Sequence, residues 1–260
     1  MISIVTAYHN RRAQLNNTAK SIAERSDPSK YELVIVDDAS DEKVDEKYIR
    51  SLGINLVLHR IEKHEKKHIN PCIPFNKAFR LARGDKLLIQ NPENYHVWDM
   101  ISHINSTLDE NDYNIYSCLS LDWTQTSWLN EEKGLEKIEL SMPKTKARFD
   151  GDYGWYIHPI YNQRPLHFMT AVHRKHVIEM QGFNEEFKDG TSYDDDEFAY
   201  RLSLKGLTFK LYEAPYCLHQ RHVSVVERGL AIHAQKNYEL YAKTLANKDW
   251  KVNKDQKWEL

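Results

Sequence analysis

The sequence predicts an α/β fold: a mainly parallel sheet flanked by helices, with a C-terminal helical extension. Two observations support this. Short β-branched apolar runs alternate along the chain with segments whose apolar residues recur at helical spacing, and no internal repeat interrupts that alternation. Strands that alternate with helices form mainly parallel sheets with helices on their faces. A chain of 260 residues can form one large domain or two small ones.

The first half of the chain contains four predicted strands and three predicted helices. The strands are apolar, β-branched runs typical of buried strands, at 2–8, 31–37, 54–58 and 85–90. Apolar residues at helical spacing predict helices over 15–25, 75–83 and 97–108. Gly84 follows the second of these helices, where glycine commonly ends a helix.

The second half is less regular. Strands are predicted at 113–121, 165–172 and 207–212, and helices at 174–180 and from Asp194 to a stop near Gly206. Residues 127–150 are predicted as an irregular, charged excursion, and 153–159 as an aromatic loop. A long C-terminal helix is predicted from one apolar stripe, formed by Val226, Leu230, Ala234, Tyr238, Tyr241 and Leu245. The predicted units are therefore a main domain at 1–225, with halves 1–121 and 122–225, and an extension at 226–260.

Composition argues against several classes of protein. A formal net charge of -2 disfavours a general nucleic-acid binder, and no apolar run approaches the ~20 residues of a membrane span. The first residues lack the basic and long apolar regions of a signal peptide. The cysteines at 72, 118 and 217 are scattered singly, which is typical of a reducing compartment. We therefore expect a cytoplasmic protein with no membrane span and no nucleic-acid partner.

Polar clusters follow three of the predicted strands. They are 8–11 after the first strand, Asp37 and Asp38 after the second, and 91–93 after the fourth. Ligands of such sheets bind outside the carboxyl ends of the strands, so these clusters predict a ligand site. No Gly-rich dinucleotide or P-loop motif is present. The basic run at 59–68 is predicted as a solvated loop, with a phosphate-bearing ligand as the alternative.

The segment 182–206 carries four consecutive acids, Asp194 to Glu197, at the start of a predicted helix. Acids favour the positive end of a helix dipole, so an ordinary acidic helix start with a Glu197–Arg201 pair is one interpretation. The other is a general base, because a carboxylate held at a helix start in a cleft can accept a proton from a substrate. Gly182 predicts a tight turn that leads into this segment.

These motifs, taken in order, resemble the GT-A glycosyltransferases of the family-2 type over roughly residues 1–225. The resemblance rests on three segments: 4–11, 36–40, and 182–187 leading into 194–202. It implies a Rossmann-like GT-A fold and an inverting transfer of a sugar from a nucleoside-diphosphate donor to a glycan or other hydroxyl acceptor. The half 1–121 would bind the nucleotide-sugar, for which a UDP-sugar is expected, and 122–225 would carry the acceptor and catalytic groups. Polysaccharide biosynthesis is the expected setting.

Site residues follow from this resemblance position by position. Asp195 matches the catalytic base of the family's acidic motif, and Asp194 beside it is assigned to the acceptor. Donor-binding positions are Thr6, Tyr8, Arg11, Asp37, Asp38, Asn76 and Asn91. The aromatic and imidazole side chains of Trp155, His158 and His167 suit sugar faces and hydroxyls, so we expect them to contact the acceptor. Packing in a small satellite core is the alternative for this aromatic cluster.

The family's metal motif, Asp-x-Asp, is replaced here by Asn91-Pro92-Glu93. Glu93 is the one anionic ligand at that position, and His219, with His222 as the alternative, matches a late histidine ligand found in some members. A carboxylate, an imidazole, diphosphate oxygens and water could complete a shell around Mn²⁺ or Mg²⁺.

Two other functions compete with this interpretation. A nucleotide-sugar-binding module of the same fold that has lost catalysis would explain the missing Asp-x-Asp, but the intact acidic helix opposes it. A nucleotidyltransferase would require a Gly-rich, Lys-bearing phosphate loop after the first strand, and the sequence has none there.

Overall fold

The computed structural model describes residues 1–142, 154–223, 234–256 and 258. Within them, nine strands form a single sheet in the order β3-β2-β1-β4-β8-β6-β9-β5, with β7 paired to β6. The strands are β1 (Ile2–Tyr8), β2 (Tyr31–Asp38), β3 (Leu56–Ile61), β4 (Lys86–Gln90), β5 (Asn94–His96), β6 (Asp112–Ser120), β7 (Gly154–Ile157), β8 (Met169–His173) and β9 (Thr208–His219).

The first four strands are parallel neighbours, as the sequence predicts. β1 and the centre of β2 are mainly apolar, because both faces of this part of the sheet are buried. Their register pairs Tyr8 with Asp37, so the polar residues that follow β1 and β2 emerge side by side at one edge.

The second half of the sheet is mixed. β8 runs antiparallel to β4 and to β6, whereas β6 runs parallel to β9. Two short strands lie in segments predicted as loops: β5 pairs with the end of β9, and β7 pairs with β6. β9 also continues past the predicted end at 212 to His219, and so brings His219 opposite Asn94.

The helices are α1 (Arg12–Arg25), α2 (Glu46–Ser51), α3 (Cys72–Leu81), α4 (Met100–Thr107), α5 (Trp123–Trp128), α6 (Gly134–Ser141), α7 (Arg174–Glu179), α8 (Asp194–Leu204) and α9 (Ala234–Asn247). The prediction of an irregular excursion at 127–150 is wrong for its first part, because α5 ends and α6 lies within it. α5 begins with a capping box formed by Asp122 and Gln125, which satisfies free backbone N–H groups. Residues 143–153, and Val226 and Leu230 of the predicted C-terminal stripe, lie outside the described residues.

One large apolar core joins the sheet to α1, α3, α7 and α8, and a smaller cluster lies between the ends of β6 and β9 and α6. The tail packs on this body: Trp250 and Trp258 contact the main core, and Arg80 lies over the indole of Trp258. In the described part of the chain, no helix is both long and apolar enough to cross a membrane.

The turn at Gly182 is fixed by two hydrogen bonds and by a left-handed backbone conformation. Its φ is 68°, its carbonyl oxygen accepts a hydrogen bond from buried Arg201, and the next residue, Phe183, donates its N–H to Asn76. An added Cβ at position 182 would overlap with Asn76 Oδ1 and the indole of Trp258. The glycine is therefore required both by its backbone conformation and by close packing.

This turn gives a stability prediction with an internal control. Gly206, which ends α8, has φ 87° and open space where a Cβ would lie. Gly206→Ala should lower the free energy of unfolding by about 1–2 kcal/mol, the cost of a left-handed side-chain residue. Gly182→Ala should cost a further ~1–3 kcal/mol because of overpacking. Equal losses for the two variants in urea denaturation would show that the packing around Gly182 is looser than described.

Candidate active site

The carboxyl ends of β1, β2 and β4 form one edge of the sheet, where three polar segments meet. His9 Nδ1 lies 2.8 Å from the carbonyl oxygen of Asp38, and the N–H of Asn10 donates to Ser40 Oγ at 3.2 Å. Arg11 then reaches across to Glu93, beyond the end of β4. The three predicted polar clusters are therefore brought together at one place, as expected for parallel strands.

Asp37 and Asp38 are both buried and both paired with basic groups. Asp37 accepts from Arg60 Nη1 at 2.6 Å, and Asp38 lies 2.6 Å from Lys66 Nζ and 2.7 Å from His68 Nε2. Burial raises the pKa of Asp38, but hydrogen bonds and charge from His68 and Lys66 outweigh it and hold the pKa below its usual range. Part of the basic run 59–68, predicted as a solvated loop, therefore lines this acidic pocket.

Thr6 and Tyr8, two predicted donor-binding residues, lie inside the end of β1. The Tyr8 hydroxyl donates to the carbonyl oxygen of Glu42, and burial raises the Tyr8 pKa to about 12. Thr6 Oγ1 is buried and has no hydrogen-bond partner among the described residues. Both side chains are buried, Tyr8 completely, and their donor-binding role remains a prediction.

Glu93 forms the centre of a second cluster. Its side chain is only 2% exposed, and Oε1 lies 3.1 Å from His219 Nε2 and 3.0 Å from His222 Nε2. Arg11 Nη1 donates to both carboxylate oxygens at 2.8 Å. Burial raises the pKa of Glu93, but Arg11 and the two imidazoles outweigh it and keep the pKa well below its usual range. Glu93 is therefore ionised.

The imidazole of His219 is neutral in this environment. Complete burial lowers its pKa, and the nearby Glu93 carboxylate does not reverse that effect. A neutral imidazole and an ionised carboxylate are the protonation states that bind metal ions. The ligand atoms of Glu93, His219 and His222 lie within 4.8 Å of one another. Both candidate histidines lie next to Glu93, so both are candidate metal ligands together with it.

The acidic start of α8 lies near a third cluster. Asp195 Oδ1 is 2.7 Å from His167 Nδ1, and Asp194 is buried beside it. Burial and the charge of Asp195 raise the pKa of Asp194 to about 7, against lowering contributions from His167 and a hydrogen bond from Asn70. Asp195 keeps 24% of its side chain exposed. Asp195 is thus the more accessible of the two carboxylates.

The two remaining acids of this helix start are engaged elsewhere. Asp196 pairs with Arg164 at 3.3 Å on the surface. Glu197 pairs with Arg201 at 2.8 Å, with both side chains completely buried, as one interpretation of the sequence predicts. Arg201 also bonds the Gly182 carbonyl, so this ion pair fixes the helix to the preceding turn.

Residues 167 and 168 lie between the Glu93 cluster and the acidic start of α8. His167 contacts Asp195, while the ring of Phe168 lies 5.3 Å from that of His219. The Phe168 carbonyl oxygen accepts from the backbone N–H of Asn91 and the side chain of Asn94. Segment 167–168 therefore connects the end of β4 with the start of α8.

Other predicted site residues have clear structural contacts. Asn76 is completely buried and bonds Phe183 through both its amide nitrogen and its oxygen, and it also donates to Glu185. Trp155 packs in the smaller core, and His158 is stacked on Tyr161 at 4.3 Å. These contacts match the satellite-core alternative for Trp155 and His158, and their binding roles, like that of Asn76, stay predictions.

Sequence reasoning missed the partners of the site acids. Arg60, Lys66, His68 and Asn70 lie in or just after the basic run, where nothing in the sequence showed that they would face Asp37, Asp38 and Asp194. The same holds for His167, which was assigned to the acceptor and not to Asp195. The one available signal was the density of basic groups at 59–68.

The sequence model of glycosyl transferase family 2 matches residues 3–170, more than half of the chain. The chain belongs to glycosyl transferase family 2. A curated relative from Bacillus subtilis (strain 168), the uncharacterized glycosyltransferase YfnE, is 23% identical over 264 residues. That alignment covers 85% of this chain and 65% of YfnE. The chain therefore spans slightly less than two thirds of the length of this relative.

Solved structures share the GT-A fold. S. aureus TarS 1–349 in complex with UDP-GlcNAc superposes with a TM-score of 0.68 at 16% identity, over 95% of this chain and 66% of that one. The mannosyltransferase PcManGT from Pyrobaculum calidifontis, in complex with GDP-Man and Mn²⁺, gives 0.57 at 17% identity, over 96% and 65%. This chain thus spans about two thirds of the length of these family-2-like proteins, and the predicted fold is confirmed.

Proposed function

We propose that this family-2 protein is an inverting glycosyltransferase that moves a sugar from a UDP-sugar to a hydroxyl of a glycan acceptor. The observation that carries the proposal is the group formed by Glu93, His219 and His222, whose ligand atoms lie within 4.8 Å of one another beyond the end of β4. This is the place where the family resemblance expects a metal for the donor diphosphate. The second requirement, an accessible carboxylate for the acceptor, is met by Asp195.

The donor set fits a divalent transition-metal ion. The pKa of Glu93 is held well below its usual range and burial lowers that of His219, so the carboxylate and the neutral imidazole are the favoured forms, and a metal would replace the hydrogen that Nε2 shares with Glu93. Mg²⁺ takes oxygen ligands, whereas imidazole suits transition metals, so two histidines favour Mn²⁺ over Mg²⁺. The Mn²⁺ in the GDP-Man complex of PcManGT is in line with this choice. When bound, the ion would supply positive charge for the leaving diphosphate.

Arg11 has two possible partners in this proposal. It now holds both oxygens of Glu93, the carboxylate that the metal also needs. A guanidinium group is well suited to bind phosphate oxygens through parallel hydrogen bonds. We expect Arg11 to leave Glu93 for the donor diphosphate when the site is loaded, which would keep the buried carboxylate neutralised in both states.

The nucleoside is assigned to the acidic pocket at the end of β2. Asp37 and Asp38 accept hydrogen bonds from Arg60, Lys66 and His68, and base or ribose donors would use the same carboxylate oxygens. TarS has been solved with UDP and with UDP-GlcNAc, which supports uracil as the base. Of the other donor-binding assignments, Asn91 lies beside Glu93 after β4, where the donor phosphates are expected.

The chemical step is a single displacement. The acceptor oxygen forms a bond to the anomeric carbon while the bond from that carbon to the diphosphate oxygen breaks, and the configuration inverts. The acceptor proton passes to Asp195, and the electron pair of the broken bond leaves with the nucleoside diphosphate. Asp194, 7% exposed, is buried beside the base, so its assignment to an acceptor hydroxyl stays a prediction of the resemblance.

Thermal stability against nucleotides tests the proposal. We expect UDP with Mn²⁺ to raise the melting temperature more than UDP alone or GDP, dTDP or CMP, because only ligands of the native state stabilise it, by about 2.7 kcal/mol at 100 times Kd. Transfer from UDP-sugars to glycans would then be measured. An equal response without Mn²⁺ would remove the metal from the mechanism. Binding without transfer would favour the non-catalytic binding module. Separately, cell fractionation would check the expected cytoplasmic location.

A further inference from the structure

His167 is held rigidly next to the assigned base. Its side chain is 7% exposed and packs against two aromatic rings that also contact each other, with centroid distances of 5.4 Å to Phe75 and 4.9 Å to Phe183. Nδ1 lies 2.7 Å from Asp195 Oδ1. A buried imidazole packed in this way can hold a carboxylate in one orientation.

Burial argues against the role first assigned to His167. An acceptor sugar needs exposed surface, and His167 offers very little, whereas Asp195 is 24% exposed. Nδ1 of His167 faces the carboxylate of Asp195. Asp195 is therefore the accessible group, and His167 is a buried group in contact with it.

We propose that His167 is the positioning residue of Asp195: its Nδ1, 2.7 Å from Oδ1, holds the base carboxylate in the orientation that accepts the acceptor proton. This inference rests on the proposed transferase function, in which Asp195 accepts the acceptor proton. The arrangement parallels the general rule that a base is itself oriented by a third group.

The charges around the pair agree with this role. Burial lowers the pKa of His167, but the charge and hydrogen bond of Asp195, with Asp194 and Asp196, raise it above its usual value. Tyr113 on β6 lies near Asp195, and Asp194 and Asp196 on α8 act on His167. Further out, Cys72 on α3 lies near Asp194, and Arg164 before β8 pairs with Asp196. The charge of the imidazole is thus complementary to the carboxylates around it.

Two substitutions separate position from charge. The amide of Asn reaches about where His Nδ1 lies, whereas the amide of Gln reaches about where Nε2 lies. His167→Asn should keep kcat within about 10-fold of wild type, and His167→Gln should lose about 10²-fold, because a small misplacement of a reacting group is costly. The KM for the donor should stay within about 2-fold of wild type in both variants, because only the orientation of the base is changed.

Control measurements keep the test interpretable. His176 is also buried and contacts a backbone carbonyl oxygen, that of Glu110, so His176→Asn and His176→Gln should both leave kcat unchanged. Stabilisation by UDP with Mn²⁺ should be the same in wild type and all variants, which shows that each is folded. Equal kcat losses in His167→Asn and His167→Gln would overturn the positioning role alone. Absence of transfer by the wild-type protein would overturn the proposed function and this inference together.

Discussion

Asp195→Asn should reduce kcat by about 10³- to 10⁴-fold, because a general base contributes up to about that factor. The substitution keeps the size of the side chain and can still contact His167, but an amide cannot accept the acceptor proton. Donor affinity should stay within about 2-fold of wild type, since the residue is assigned to the acceptor side and not to the nucleotide. Turnover and UDP binding by calorimetry measure the two effects separately.

A neighbouring acid provides the matched control. Asp196 is equally exposed and lies on the same helical turn, but it pairs with Arg164 at the surface. Asp196→Asn should therefore change kcat by less than about 10-fold, because exposed ion pairs contribute little. Wild-type turnover in Asp195→Asn would place the base elsewhere, with Asp194 the next candidate.

Glu93→Gln should abolish the Mn²⁺ dependence of nucleotide binding. The change removes the one anionic ligand of the proposed site while keeping its shape. Loss of an outer-shell partner already weakens metal affinity about 10- to 100-fold, so loss of a direct ligand should exceed that range. Titration of UDP by calorimetry, with and without Mn²⁺, measures the effect, and His219→Ala and His222→Ala show whether one or both imidazoles contribute.

A substitution of Arg11 should change the Mn²⁺ affinity of the nucleotide-free protein in the opposite direction to Glu93→Gln. In the absence of nucleotide, Arg11→Gln should bind Mn²⁺ more tightly than wild type, because it releases Glu93 from a competing cation. With UDP present it should bind more weakly, because the diphosphate loses a partner. If Glu93→Gln and wild type responded to Mn²⁺ in the same way, Glu93 would be excluded from the metal site and Arg11–Glu93 would be a purely structural pair.

The sequence was most informative where local pattern determines structure. β1 coincides with its predicted range because both faces of the strand are buried, which makes the whole segment apolar and β-branched. α8 begins at Asp194, as its run of acids indicates, and the Gly206 stop is confirmed by its left-handed backbone. β5 and β7 were missed because strands of three and four residues carry almost no periodic signal and exist through pairing with β9 and β6.

The sequence by itself determined the family, the fold, and the acids expected to carry the chemistry, because hydrophobic periodicity and motif order are properties of short segments. The resemblance had already joined Glu93 to His219 or His222, and the tertiary structure decided that both histidines lie at Glu93 together with Arg11, and that His167 lies at Asp195. The physical reason is that these contacts join residues far apart in the chain. The antiparallel register of β5 and β9 brings His219 opposite Asn94, next to Glu93, and the antiparallel pairing of β4 with β8 places segment 167–168 between the two clusters.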